Sequence, residues 1–218
     1  MELSELLAHC DHTLLKQEAT WEQIRTLCDE GMAYHTASVC IPPSFVKRAA
    51  DYVAGRLPIC TVIGFPNGYQ TTAVKVFETA RAVEEGADEI DMVIHIGMVK
   101  DRQWSQLLEE IQQIREASQG RVLKVIVETC LLTREEKIAM CELVARSGAD
   151  YIKTSTGFST QGATREDVAM FRQNLPARVK IKASGGIRTR ADAEDFLALG
   201  AHRIGASALV ALAQKELQ

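Results

Sequence analysis

RVLKVIVETCLLTREEKIAMCELVARSGADYIKTSTG, residues 121–157, reads as one complete strand–helix–strand unit. Val122–Val127 and Tyr151–Thr154 are short β-rich runs. Between them Arg134–Ser147 has helical periodicity and meets a glycine stop at Gly148. Two strands that lie parallel in one sheet need a crossover of this length, and a helix is the usual one. Working outward, the Gly148-Ala149-Asp150 step recurs as Gly86-Ala87-Asp88 and, with histidine in third place, as Gly200-Ala201-His202. These steps mark the return loops at the base of a repeated unit.

The alternation spans the chain. After an N-terminal helix at Glu2–Leu7, strands are expected near Asp11–Leu14, Thr36–Cys40, Ile59–Ile63 and Glu89–Ile94. Four more follow near Val122–Val127, Tyr151–Thr154, Val179–Ala183 and Arg203–Gly205. Helices are expected at Trp21–Glu30, Ser44–Ala54, Thr72–Glu85, Trp104–Ala117, Arg134–Ser147, Arg165–Asn174, Arg190–Leu199 and Ser207–Lys215. Gly31, Gly86, Gly148 and Gly200 follow predicted helices and are read as their stops. Eight strand–helix repetitions without a linker predict one α/β domain over residues 1–218, a single (β/α)8 TIM barrel with a short N-terminal helix. The rival is an open doubly wound sheet, which lacks its Gly-x-Gly-x-x-Gly fingerprint after the first strand.

Composition narrows the function. The 218 residues are 46% hydrophobic and 25% charged, ordinary for a globular domain with one sizeable core. A net charge of -4 argues against a general nucleic-acid or anionic-membrane binder. No apolar run reaches membrane-spanning length, MELSELLAHC lacks a signal-peptide core, and a cytoplasmic location is expected. The six cysteines form no CxxC pair and read as reduced thiols, several of them in apolar runs. His9-Cys10-Asp11-His12 resembles a metal cluster only superficially, because on a strand His9 and Asp11 point away from Cys10 and His12. No metal or cofactor is expected.

Three neighbouring strands put lysines where a barrel interior would take aliphatic residues: Lys124, Lys153 and Lys182. Asp91, on the strand before them, completes the set. Buried ammonium groups are costly and persist when paired or when their altered acidity is used. A lysine near a second cation and partly desolvated can become a neutral nucleophile, which suits Lys153 beside Lys182 with Asp91 for proton transfer. The alternative is a set of inward ion pairs that only hold the barrel together, and Lys180, deeper on its strand, fits that class better.

The loops after strands seven and eight carry Gly185, Gly186 and Arg188, then Gly205 and Ser207. In such barrels these two loops often hold phosphate through backbone N–H groups and a helix N-terminus. Gly157, after Lys153, could add another amide donor. A phosphorylated small molecule is the expected ligand.

These motifs together resemble the deoxyribose-phosphate aldolase family, class I aldolases of the (β/α)8 type. The resemblance rests on Asp11-His12-Thr13-Leu14-Leu15, Cys40-Ile41-Pro42-Pro43, Gly64-Phe65-Pro66-Asn67-Gly68 and Glu89-Ile90-Asp91-Met92-Val93. It continues through Leu123–Thr129, Tyr151–Phe158 and Lys182–Arg188. It implies reversible cleavage of 2-deoxy-D-ribose 5-phosphate to acetaldehyde and D-glyceraldehyde 3-phosphate, in deoxyribonucleoside catabolism, without a metal. It also implies Lys153 as Schiff-base nucleophile, Lys182 and Asp91 as a water-linked proton relay, and Asp11 and Lys124 as supporting groups. Gly157, Gly185, Gly186, Arg188, Gly205 and Ser207 would hold the phosphate. Partners would be phosphosugar and aldehyde substrates and further copies of the chain, as a dimer or tetramer.

Two departures stand out. Some relatives carry a lysine where this chain has Phe158 and a serine where it has Ala208, and some end in a tyrosine where this chain has Lys215-Glu216-Leu217-Gln218. Other readings of the same residues are a different Schiff-base aldolase, a phosphosugar isomerase, or a noncatalytic phosphosugar-binding barrel. Cys40, at the end of its strand, is read as a packing residue that would be open to aldehydes or oxidants if its thiol were acidic.

Overall fold

The computed structural model describes residues 1–216. The elements are α1 (Leu3–Leu7), β1 (Cys10–Thr13), α2 (Trp21–Ala33), β2 (Ser38–Ile41), α3 (Val46–Val53), β3 (Ile59–Ile63), α4 (Thr72–Glu84), β4 (Glu89–Val93) and α5 (Ile96–Lys100). They continue with α6 (Trp104–Ala117), β5 (Val122–Ile126), α7 (Arg134–Ser147), β6 (Tyr151–Lys153), α8 (Arg165–Asn174), β7 (Lys180–Ser184), α9 (Arg190–Ala198), β8 (Arg203–Ala206) and α10 (Leu209–Glu216). The eight strands form a closed parallel barrel in chain order. Pairing of Asp11 with Gly205 joins β1 to β8 and rules out the open sheet.

Local chemistry starts and stops the helices. Threonine side chains cap four of them: Thr20 before α2, Thr133 before α7, Thr164 before α8 and Thr189 before α9. Thr20 and Thr133 form capping boxes with Gln23 and Glu136, so side chain and backbone satisfy each other in both directions. Gly86, Gly148 and Gly200 take positive φ after α4, α7 and α9, as a stop requires.

Gly31 behaves differently. It lies inside α2, which runs on to Ala33, and a Cβ there would come within 2.7 Å of Leu57 Cδ2 and 3.0 Å of Val39 Cγ1. It is a packing glycine rather than a stop. The short helix α5 was not expected either: it is a single turn containing Gly97, and His95 Nδ1 accepts from Met98 N to start it.

The repeated Gly-Ala-Asp/His step has a structural task at the base of the barrel. Asp88 accepts from Ile59 N at 3.0 Å, Asp150 from Leu123 N at 2.8 Å, and His202 Nδ1 from Ile181 N at 3.3 Å. Each third residue thus satisfies an N–H near the start of the preceding strand and fixes the register there. The apolar core is the annulus between strands and helices, where Ile90, Met92, Leu123, Val125, Ile152 and Ile181 meet faces such as Leu107, Ile111 and Ile114 of α6. Alternation turns the neighbouring residues of the same strands inward. There the interior is charged.

Candidate active site

The inward positions of six strands bring four cations and three carboxylates together. Glu89 and Asp91 come from β4, Lys124 from β5, Lys153 from β6, Lys182 from β7, Arg203 from β8 and Asp11 from β1. Register sets Asp91 beside Lys124, Lys153 beside Lys182, and Lys182 beside Arg203. Asp91 Oδ2 accepts from Lys153 Nζ at 2.7 Å and from Lys182 Nζ at 2.6 Å. Its other oxygen, Oδ1, accepts from Lys124 Nζ at 2.8 Å and from the Cys60 thiol at 3.2 Å. Lys182 also pairs with Asp11 Oδ2 at 2.5 Å, and Lys124 with Glu89 at 2.5 Å. Arg203 closes the set on Asp11 and Glu89, and Ser38 donates to Asp11 Oδ1 at 2.8 Å.

The charges hold one another. Burial alone would push the Asp91 carboxyl upward, but Lys124, Lys153 and Lys182 keep it well below the ordinary carboxylate range. Asp11 is likewise held low against burial, chiefly by Lys182, then Lys124 and Arg203. Burial works against the ammonium groups of Lys124 and Lys182, yet the carboxylates around them hold both above the ordinary lysine value. Burial pushes the Cys60 thiol well up, so it serves as a neutral donor to Asp91. The charge count is informative: Lys124, Lys182 and Arg203 balance Asp11, Glu89 and Asp91, leaving Lys153 as the cation beyond neutrality.

Exposure separates the lysines. Lys124 and Lys182 have 0% exposure, whereas Lys153, at 3%, lines the cleft at the barrel mouth. Lys182 touches Asp91 directly, where a bridging water was expected. Lys180 does not join the inward ion pairs: it is exposed at the other end of β7, 5.6 Å from the centre of the Tyr151 ring. Its alternation is the same as that of Lys182, but it stands at the strand's first residue, outside the enclosed layer. Cys40 is fully buried within the barrel beside Cys60 and Val62. The Cys60 hydrogen bond, outweighing burial, lowers its thiol pKa, with Lys182 and Lys153 acting in the same direction. The superficial metal cluster is dispersed, with His9 bonded to His202 O and His12 to Glu30.

Above the lysines lies a cleft of about 300 Å³ lined by Lys153, Gly157, Gly185, Gly186, Arg188, Gly205 and Ser207. All the residues expected to hold phosphate therefore share one space with the cleft-lining lysine. Gly157, Gly185 and Gly186 have φ of +85°, +83° and +78°, backbone that most side chains would strain. The loop after β6 folds onto the loop after β7, where Ala163 N donates to Ser184 O at 3.0 Å and Gly185 O at 3.1 Å. Glu128 braces the first of these loops. It is buried with φ +53°, and its carboxylate accepts from Thr156 N and Thr156 Oγ1. Such strain at a non-glycine residue is typical of functional sites. Phe158 sets its ring edge against Phe65, with centroids 5.2 Å apart.

Glu89, Arg203, Cys60 and Glu128 had no assigned role in the sequence. Glu89 is two residues before Asp91 on one strand, so alternation already aims both inward. The others are recognisable only once the stagger of the closed barrel brings distant strands to one level.

The model of the DeoC/LacD family of aldolases matches residues 6–213. Deoxyribose-phosphate aldolases of Streptococcus pyogenes and Streptococcus agalactiae are each 57% identical over 216 residues, covering 99% of this chain and 97% of theirs. Among solved structures, a tetrameric deoxyribose phosphate aldolase of Aeropyrum pernix superposes with a TM-score of 0.91 at 31% identity, covering 100% of this chain and 94% of that one. With a charged lysine cluster under an anion-ready cleft, and with similarity of this extent along almost its whole length, the chain belongs to the DeoC/LacD family of aldolases.

Proposed function

We propose that this aldolase cleaves 2-deoxy-D-ribose 5-phosphate reversibly into acetaldehyde and D-glyceraldehyde 3-phosphate through a Schiff base on Lys153. The observation that carries the residue assignment is that Lys153 alone of the three lysines reaches the cleft, while its Nζ lies 2.7 Å from Asp91 Oδ2.

Lys153 gives up its proton by way of Asp91 Oδ2 to water in the cleft and, as the neutral amine, attacks the substrate aldehyde, giving a carbinolamine. Loss of water leaves a protonated imine. Removal of the C3 hydroxyl proton breaks the C2–C3 bond, and the imine accepts the electron pair as an enamine. Glyceraldehyde 3-phosphate departs, the enamine is protonated at carbon, and hydrolysis frees acetaldehyde and Lys153. The imine itself is the electron sink in this sequence, so no step calls on a metal. Asp91, with two ammonium groups on one oxygen, can exchange protons without leaving the buried site. Lys124, Asp11, Glu89 and Arg203 keep that carboxylate in place. Gly157, Gly185, Gly186, Arg188, Gly205 and Ser207 receive the phosphate, so the sugar chain runs down toward Lys153.

Incubation with acetaldehyde and borohydride, then peptide mass spectrometry, tests the assignment. A reduced two-carbon adduct on Lys153 is expected. An intact Lys153 with full turnover of deoxyribose 5-phosphate would sink it.

The proposal extends to self-association and location. Phe77 and Val74 are exposed on α4 at 72% and 51%, and the Aeropyrum pernix relative is described as tetrameric. A homo-oligomer, dimer or tetramer, is therefore proposed. No helix among the described residues is long and apolar enough to cross a membrane. A cytoplasmic place fits the substrates named here. The tyrosine found at the end of some relatives corresponds to a segment whose last residues, Leu217 and Gln218, lie outside the described residues.

A further inference from the structure

The phosphate cleft presents a charge arrangement that the motif residues alone do not explain. Besides Arg188 and Lys153, its lining includes Lys16, from the loop after β1, and no aspartate or glutamate. Both Lys16 and Arg188 are exposed, and neither side chain has an ion pair or hydrogen bond among the described residues. Other cations on nearby surfaces are engaged: Arg165 pairs with Asp192 and Asp195, and Lys137 with Asp167. The position that follows Gly157 is Phe158, an apolar ring packed on Phe65, so the loop after β6 brings no cation to the cleft.

Lys16 stands at a fixed place. Leu14 N donates to Cys40 O at 3.0 Å, which continues the strand pairing past β1. Ala19 N then donates to Lys16 O at 3.1 Å, closing a turn just before the Thr20 cap of α2. The lysine also lines the adjoining hollow that contains Phe65 and Phe158, and so sits at the boundary between the two spaces. A dianion needs charge as well as amide donors, and an unpaired ammonium at the rim supplies it without first breaking an internal ion pair.

We propose that Lys16 is the second cation for the substrate phosphate, working opposite Arg188 and determining preference for phosphorylated over free sugars. Amides of Gly157, Gly185 and Gly186 and the Ser207 hydroxyl then orient the phosphate, while Lys16 and Arg188 neutralise it. This rests on the reading of the cleft as the phosphate site.

The test compares Lys16→Met, Lys16→Arg and Arg188→Met with the unaltered enzyme, each confirmed as folded by its thermal transition. Deoxyribose 5-phosphate and deoxyribose are the substrates, and inorganic phosphate is the competitive inhibitor. For Lys16→Met the ratio of kcat/KM between the phosphorylated and free sugar should fall about tenfold, the low end expected for one charged hydrogen bond. Inhibition by phosphate should weaken by a similar factor, and Lys16→Arg should restore most of both. An unchanged ratio and unchanged phosphate inhibition in Lys16→Met, with both altered in Arg188→Met, would overturn the role of Lys16 alone. Unchanged values in both methionine variants would instead overturn the phosphate site itself.

Discussion

Asp91 divides its labour between two oxygens. Oδ1 is committed to Lys124 and Cys60, which anchor it, while Oδ2 faces Lys153 and Lys182, where protons would move. Replacement by asparagine keeps the shape but removes the charge on which three ammonium groups depend. Asp91→Asn should lower kcat by roughly 10²- to 10⁴-fold. It should also destabilise the fold by about 3–5 kcal/mol, the usual cost of leaving buried charge uncompensated. Steady-state rates and urea unfolding would measure these separately, and a variant with near-normal kcat would remove Asp91 from the relay. The lysines and this aspartate were legible in the sequence because alternation on a strand is strict and charge at inward positions is anomalous. Arg203 and Lys180 were not: alternation alone aims Lys180 inward with Lys182 and gives Arg203, at a strand start, no partner. Only the stagger of the closed barrel puts Arg203 inside the layer and leaves Lys180 at the rim.

Among the elements, helix ends were easier to read than helix interiors. Trp104–Ala117, Arg134–Ser147 and Arg165–Asn174 match their expected limits; the second has both a threonine cap and a glycine stop and the third a threonine cap. Gly31 misled because a glycine near a helix end has two physical uses, turning the chain and admitting a neighbour. Only contacts with Leu57 and Val39, distant in sequence, reveal the second. The two effects make opposed predictions for Gly31→Ala. Helix propensity would favour alanine by about 1 kcal/mol, whereas overpacking costs roughly 1–3 kcal/mol. Contact at 2.7 Å decides for overpacking, so the urea midpoint should fall. A raised midpoint would show that Leu57 moves aside freely. The single-turn α5 was invisible for a different reason: one turn with a glycine inside carries no periodicity to detect, and its start depends on a histidine cap.

At the scale of the molecule, the barrel is held by apolar packing outside the strands and by ion pairs within them. The internal part has a defined dependence on pH. Asp11 and Asp91 are held below their ordinary 3.8, so their contribution is complete above that value and drains away as pH falls through the lower folded-state values. Lys124 and Lys182 are held above their ordinary 10.5, so theirs is complete below that value and is lost only as pH rises further. The difference in Tm between the unaltered protein and Asp91→Asn should therefore stay level from about pH 5 to about pH 9 and shrink below about pH 4. A difference that closes between pH 5 and pH 9 would contradict the ionised cluster. The division between the two faces of each strand has a further meaning for how such an enzyme changes over generations. Outward residues answer to the helices alone, whereas the inward charges answer to the substrate and to one another, so a mutation that explores new chemistry at one of them also draws on the stability of the barrel. A lineage can rewrite the inner face only by exchanging its charges in compensating sets, while the outer face continues to shape the same barrel.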